Sequence, residues 1–212
     1  MSSPIIRRVV VWRWREGATP EQKLAAKEGL AYTRYASPVE AVDFGEDVGL
    51  GHGRNYDLTL ARDHRDKASW DAYDVDAHHF RVGAFIDTLT HEDLSARADY
   101  LYRGPRSRRG RIRHLELHTW RDGISDAEKA GARRAIAGLR ADCPSLEALE
   151  VADDLGWAGA GRADLVVEAH FADAGAAEAF LAHPATIAAG ELLASLTVPG
   201  RGAAIEHRMM SG

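Results

Sequence analysis

Cysteine is almost absent: Cys143 is the single thiol in 212 residues. An internal disulfide is excluded, and with it a disulfide-stapled secreted scaffold. Long apolar runs are missing too. Stretches such as Val9-Val10-Val11-Trp12 fall far short of the roughly 20 residues a membrane helix needs. Met1-Ser2-Ser3-Pro4 leads straight into a strand-like segment, without the charged-then-apolar pattern of a signal peptide. The expectation is a cytoplasmic protein with no membrane partner. An excess of positive charge is also lacking. Lys and Arg number 27 against 32 Asp and Glu, a net charge of −5, which gives no reason to expect nucleic acid as a partner. What is present is ordinary for a globular chain, 45% hydrophobic and 28% charged, and the length suffices for one large domain or two of about 105 residues.

The chain repeats itself. Trp14-Arg15-Glu16-Gly17 returns as Trp120-Arg121-Asp122-Gly123. Gly53-Arg54-Asn55-Tyr56-Asp57-Leu58 returns, one residue shorter, as Gly161-Arg162-Ala163-Asp164-Leu165, and Asp71-Ala72-Tyr73 as Glu178-Ala179-Phe180. A shared offset of roughly 106–108 positions marks a tandem duplication. The midpoint, Arg103-Gly104-Pro105-Arg106-Ser107-Arg108-Arg109-Gly110, has linker composition, and its arginines read as a solvated linker rather than a nucleic-acid patch. Two domains are therefore expected, 1–103 and 111–212, joined by about 104–110.

Each half reads strand, helix, strand, strand, helix, strand. Residues 6–15 alternate as a strand. Thr19-Pro20-Glu21 opens a helix, with Thr19 as its cap and proline at the first position. That helix runs to about Tyr35 and stops before Ser37-Pro38. Strands are expected near 38–47, 55–63 and 95–102, with helical stretches at 66–75 and 78–90. The second half repeats this with strands at 111–120, 146–154, 162–171 and 202–209 and helical stretches at 125–141, 173–182 and 184–195. Ser125 and Glu128 have capping-box spacing. This order implies an α+β class: antiparallel ferredoxin-like sheets with helices on one face. Two such tandem units can bury their open sheet faces against each other, as an intramolecular pseudo-twofold β-barrel with helices outside. A monomer containing an internal pseudo-dimer, or a homodimer of it, follows.

Each half resembles the stress-responsive A/B barrel family, Dabb. The family's helix ends in Tyr-x-x-His-Pro-x-His. The first half has Tyr73-Asp74-Val75-Asp76-Ala77-His78-His79, keeping the tyrosine and the final histidine. The second has Phe180-Leu181-Ala182-His183-Pro184-Ala185-Thr186, keeping His-Pro. A first-strand histidine of the family appears only as His114, with Arg8 in its place in the first half. Family members include homodimeric stress proteins and a plant polyketide cyclase that makes olivetolic acid. In that cyclase the motif tyrosine and final histidine form the catalytic pair, so the resemblance implies that role for Tyr73 and His79.

The residues themselves allow this chemistry. Histidine can take a proton at neutral pH, and a tyrosine hydroxyl can stabilise a developing oxyanion. Six residues apart, the two converge only if the chain turns near Asp76; Asp76 or His78 can then orient the imidazole. The bland alternative is a packed Tyr73 and a solvated His78-His79 turn. In the second half, alternation puts His114, Glu116 and His118 on one strand face with Ile112 and Trp120. Asp164, Val166, Glu168 and His170 share a face of another strand, and Glu206 and His207 lie in the last. These groups admit three readings: a metal site, a metal-free acid–base pocket that includes His183, or a structural polar network.

Trp12, Trp14 and Trp157 are candidates for stacking on an aromatic substrate, and Arg8 for attracting an anion. The loops Gly49-Leu50-Gly51-His52-Gly53 and Gly156-Trp157-Ala158-Gly159-Ala160-Gly161 lie between strands, so they read as hairpin or lid loops rather than phosphate cradles. Cys143 has no evident base partner. The expected function is cofactor-free proton transfer on a small carbonyl or aromatic substrate, with no metal and no cofactor. The alternatives are a non-catalytic stress or ligand-carrier protein, and a metal- or haem-dependent enzyme using His114, His118 or His183.

Overall fold

The computed structural model describes residues 4–36, 39–51, 55–91, 94–157, 159 and 161–210. The expected helix stop at Ser37-Pro38 and the loop residues His52, Gly53, Arg54, Ala158 and Ala160 lie outside them. The first half runs β1 (Ile5–Trp12), α1 (Pro20–Ala36), β2 (Ala41–Glu46), β3 (Leu58–His64), α2 (Lys67–Asp74), α3 (Ala77–Leu89) and β4 (Ala96–Tyr102). The second runs β5 (Ile112–His118), α4 (Asp126–Asp142), β6 (Ala148–Asp153), β7 (Leu165–Phe171), α5 (Ala174–Leu181), α6 (Pro184–Leu196) and β8 (Ala203–Arg208). No single described helix is long and apolar enough to cross a membrane.

Local chemistry sets these boundaries. The Thr19 hydroxyl accepts from the Gln22 backbone N–H at 3.3 Å while the Gln22 side chain accepts from Thr19, and Ser125 and Glu128 form the same reciprocal cap. Strand β1 ends at Trp12, three residues before the expected limit. Beyond it the Trp14 N–H leaves the ladder and donates to the Asp57 carboxylate at 2.8 Å. Trp120 donates to Asp164 in the same way at 2.9 Å. Gly17 and Gly123 follow with φ of 87° and 82°, a left-handed turn that only glycine adopts freely. The repeated Trp…Gly and Asp motifs therefore build the scaffold.

The sheets have orders β2-β3-β1-β4 and β6-β7-β5-β8, and all their pairings are antiparallel. They face each other over a shared core of Val9, Val11, Ala98, Leu115, Leu117, Val166 and Ile205. A closed barrel does not form. Among the described residues, the seams beside β2 and β8 and beside β4 and β6 carry only isolated bridges, such as Asp47 with His207, and Arg97 with Arg162 in the segment that leads into β7. Each sheet's outer face carries its own helices. In the first half Val10, Trp12, Leu60, Leu30 and Ile86 pack there; in the second Ile112, Val167, Phe171, Ile136 and Phe180 do.

Between the sheets lies a buried charged network that crosses the two halves. Arg7 bonds Asp63 through two nitrogens at 2.6 and 2.9 Å and Glu168 at 2.6 Å. Its repeat counterpart Arg113 pairs with Asp43 at 3.0 Å and Glu168 at 3.1 Å. Glu168 also accepts from Tyr100 and meets His170 at 2.6 Å. Glu168 and His170 thus lie between the sheets, on the side opposite the His114–Glu116–His118 row.

Candidate functional site

A cavity of about 300 Å³ opens between the first sheet and α1 and α3. Its apolar wall includes Val10, Trp12, Leu30, Leu60 and Ile86, and its polar end carries Arg8, Arg62, Arg97, Tyr73 and His79. The helix break supplies the turn that Tyr73 and His79 need. Helix α2 ends at Asp74, and Asp76 caps α3 by accepting from the N–H groups of His78 and His79 at 2.8 and 3.1 Å. The Tyr73 and His79 rings then lie 4.1 Å apart between centroids. Asp76 acts on the backbone and His78 packs on Tyr32, so neither takes the expected orienting role. The His79 Nδ1 instead meets the Asp74 carbonyl at 3.4 Å. An Nδ1–H there leaves the Nε2 lone pair as the base.

Burial and the neighbouring Arg8 charge lower the His79 pKa to about 4, so the ring is neutral at pH 7. Burial raises the Tyr73 pKa and keeps its phenol a donor; the hydroxyl makes no hydrogen bond to a described residue. His64, 5.2 Å from the Tyr73 ring, is likewise held neutral by burial and by Arg62, with a pKa of about 3.

The arginines are the feature that sequence reading missed, apart from Arg8. Arg8 and Arg62 stand directly opposite each other on β1 and β3, and Arg97 on β4 lies opposite Val10. Arg62 is 1% exposed and Arg8 5%. Arg62 lies 4.0 Å over the Tyr73 ring and donates to Thr33, yet its Nε and Nη1 have no hydrogen-bond partner. Arg8 has carboxylates only at ion-pair distance, Asp99 at 3.6 Å and Asp74 at 3.8 Å. Strand alternation puts Arg62 and Arg97 on the helix-facing side, but only the sheet register shows that they meet Arg8.

The second half lacks this constellation. With the halves registered on Arg7 and Arg113, His114 stands for Arg8, Ala169 for Arg62, Phe171 for His64, Phe180 for Tyr73, Thr186 for His79 and Ala204 for Arg97. Phe171 and Phe180 pack 5.1 Å apart and fill the space. His114 is bonded to Glu206 at 2.5 Å and Glu116 at 3.1 Å, and His118 to Glu116 at 2.9 Å. Burial opposes a charge on His114, but its two glutamates prevail and raise its pKa to about 10. These groups satisfy one another, and among the described residues no cluster has the geometry of a metal site. A more open cleft of about 580 Å³, reaching Arg13 and Tyr56, is lined by Glu116 and His118.

The remaining candidates fall elsewhere. His183 caps α6, its Nδ1 accepting from Ala185 N–H at 3.3 Å, and joins no acid–base pocket. Trp14 is buried in the first-half core. Trp157 meets the edge of Trp70 at 5.5 Å, outside the cavity, and the Trp70 indole donates to Asp99 at 2.7 Å. Of the candidates, Arg8, Trp12, Tyr73 and His79 share one cavity.

No curated protein sequence matches the chain. Among solved structures, an anthrone oxidase-like protein superposes with a TM-score of 0.70 at 13% identity, covering 99% of this chain and 92% of its own. A Fusobacterium nucleatum protein described as a candidate monooxygenase gives 0.62 at 11% identity, covering 99% and 94%. A dimeric ferredoxin-like protein of Thermobifida fusca, of unknown function, covers 50% of this chain and 99% of its own at 26% identity, with a TM-score of 0.43. The longer two share the paired-sheet fold. The Stress responsive A/B Barrel Domain profile, Dabb, matches residues 6–99 and again 112–198, and the chain belongs to that family as a tandem pair of its domains.

Proposed function

We propose that the protein is a small-molecule enzyme whose first half moves a proton on a carbonyl or aromatic substrate, while the second half serves as scaffold. The observation that carries this reading is the joining of Tyr73 and His79 at one cavity wall. His79 Nε2 takes a proton from the carbon beside a carbonyl. The electron pair moves to the carbonyl oxygen, and the Tyr73 hydroxyl hydrogen-bonds that oxyanion. Return of the proton, or attack of the carbanion on a second carbonyl of the same substrate, completes an isomerisation or a cyclisation. Such a reaction needs no cofactor.

The test is hydrogen–deuterium exchange at the α-carbon of a panel of small ketones and β-dicarbonyls, followed by NMR in D2O. Enzyme-dependent exchange is expected, reduced about 10²–10³-fold in Tyr73→Phe and at least 10²-fold in His79→Ala. Exchange unchanged in both folded variants overturns the reading. Binding without any exchange favours a ligand carrier.

A further inference from the structure

Arg8, Arg62 and Arg97 sit on three neighbouring strands of one sheet face. Like charges directly opposite each other on paired strands are destabilising, and Arg8 and Arg62 are such a pair. Little offsets the charge of Arg62: Asp76 and the Tyr73 ring favour it, but among the described residues no carboxylate is paired with it at ion-pair distance, and two of its buried nitrogens lack hydrogen-bond partners. A buried charge without a close counter-ion is strongly destabilising. The Nε and Nη1 of Arg8 and the Nε of Arg97 are also without hydrogen bonds. Asp87 lies at the cavity beside Arg97 and leaves Arg62 unpaired. In the second half the positions of Arg62 and Arg97 are alanines, so the fold itself does not require these charges.

We propose that the polar end of the first-half cavity is a carboxylate-binding site, in which Arg62 and Arg8, flanked by Arg97, receive the carboxylate of a small apolar or aromatic acid. That this acid is the substrate of the Tyr73–His79 pair rests on the function proposed above; the site itself does not. A carboxylate matches the planar donor fork of a guanidinium. The rest of the wall is apolar, from Val10 and Leu30 to Leu60 and Ile86, and suits a hydrocarbon or aromatic body. The volume is at the small end of ligand pockets. No lysine lines the cavity, and Gly83 there lies inside α3, its N–H committed to the helix. A phosphate, which demands more donors, is therefore less well served.

The seat also bears on the base. His79 faces Tyr73, Arg8, Arg62, His64 and the Asp74 carbonyl and carboxylate. Arg8 and Arg62 both disfavour its protonation. A carboxylate bound between them cancels part of that field and makes His79 a stronger base when substrate is present.

The probe is benzoate, titrated calorimetrically against the neutral isostere benzamide and against inorganic phosphate. Benzoate is expected to bind at least tenfold tighter than benzamide. Arg62→Gln should weaken benzoate at least tenfold and leave benzamide unchanged, and Arg62→Lys should fall between. If Arg62→Gln does not fold, Arg97→Gln gives the same comparison with a smaller loss. Benzoate should also move the His79 NMR titration to higher pH. Equal affinity for benzoate and benzamide, tighter binding of phosphate, or no effect of any arginine substitution overturns the proposal. Tyr73→Phe separates the two claims: it should lower α-carbon exchange about 10²–10³-fold yet leave benzoate affinity within about twofold. Arginine-dependent benzoate binding in a protein without α-carbon exchange upholds the carboxylate site and rejects the proton-transfer function.

Discussion

His114 and Arg8 occupy the same place in the two halves, and the contrast shows how a single position changes role. Arg8 meets carboxylates only at ion-pair distance beside a cavity, whereas His114 is bonded to both Glu206 and Glu116. The raised His114 pKa fixes a pH dependence. A histidine whose folded pKa of about 10 exceeds its ordinary 6.5 stabilises the fold fully below pH 6.5, and that contribution falls as pH rises through 10. His114→Gln is expected to cost on the order of 2 kcal/mol at pH 6, the scale of a charge-assisted hydrogen bond. Urea unfolding should show the difference between wild type and variant shrinking from pH 7 to pH 10; a constant difference would rule out a charged His114. At this scale, sequence reading found the groups that share a local motif. Tyr73 and His79 lie six positions apart, and a turn was enough to join them. Arg62, Arg97 and Thr33 lie on other elements, and only register and helix placement bring them to Arg8.

The elements were largely legible because their ends are written in local chemistry: the caps Thr19 and Ser125, Pro20 at the first helical position, and the Asp-Gly and Glu-Gly turns. The kink between α2 and α3 is the element on which the site depends, and one side chain holds it. The Asp76 carboxylate accepts two backbone N–H groups at the start of α3. Loss of such a cap costs about 1 kcal/mol. Asp76→Ala is expected to lose that much stability and also to lower α-carbon exchange several-fold, because His79 sits in the first turn that the cap orders. Asp76→Asn, which keeps a capping oxygen, should recover both. The control is Asp173→Ala, which removes the aspartate cap of α5 over Ala176 in the second half at similar cost to stability and with exchange unchanged. Equal activity in the two alanine variants would show that the kink does not set the geometry of the pair. The end of β1 was less legible, because a side chain 43 residues away, Asp57, captures the Trp14 N–H.

Across the whole molecule, what repeats is scaffold and what differs is the site. Trp14 and Trp120, Asp57 and Asp164, and Gly17 and Gly123 make the same contacts in each half, whereas Arg62 and Arg97 of the first-half cavity become alanines in the second, Tyr73 becomes phenylalanine, His79 threonine and Arg8 histidine. The duplication was legible for that reason; the unclosed seams were not, since they depend on how the sheet edges meet. The halves are held together partly by a buried network in which Glu168 receives Arg7 from one half and Arg113 from the other. Glu168 is held ionised, its pKa well below the usual range, because the two arginines outweigh its burial. Removing that charge leaves each arginine with a single carboxylate partner, Asp63 or Asp43. Breaking a buried pair in this way costs about 3–5 kcal/mol. Glu168→Gln is therefore expected to lower the urea midpoint sharply, in one transition that reports both halves. Lys27→Ala, which removes the partly exposed pair with Glu46, should cost under about 1 kcal/mol. Two separate transitions in wild type, or a Glu168→Gln as mild as Lys27→Ala, would mean that the halves fold independently and that the apolar face between the sheets alone holds them.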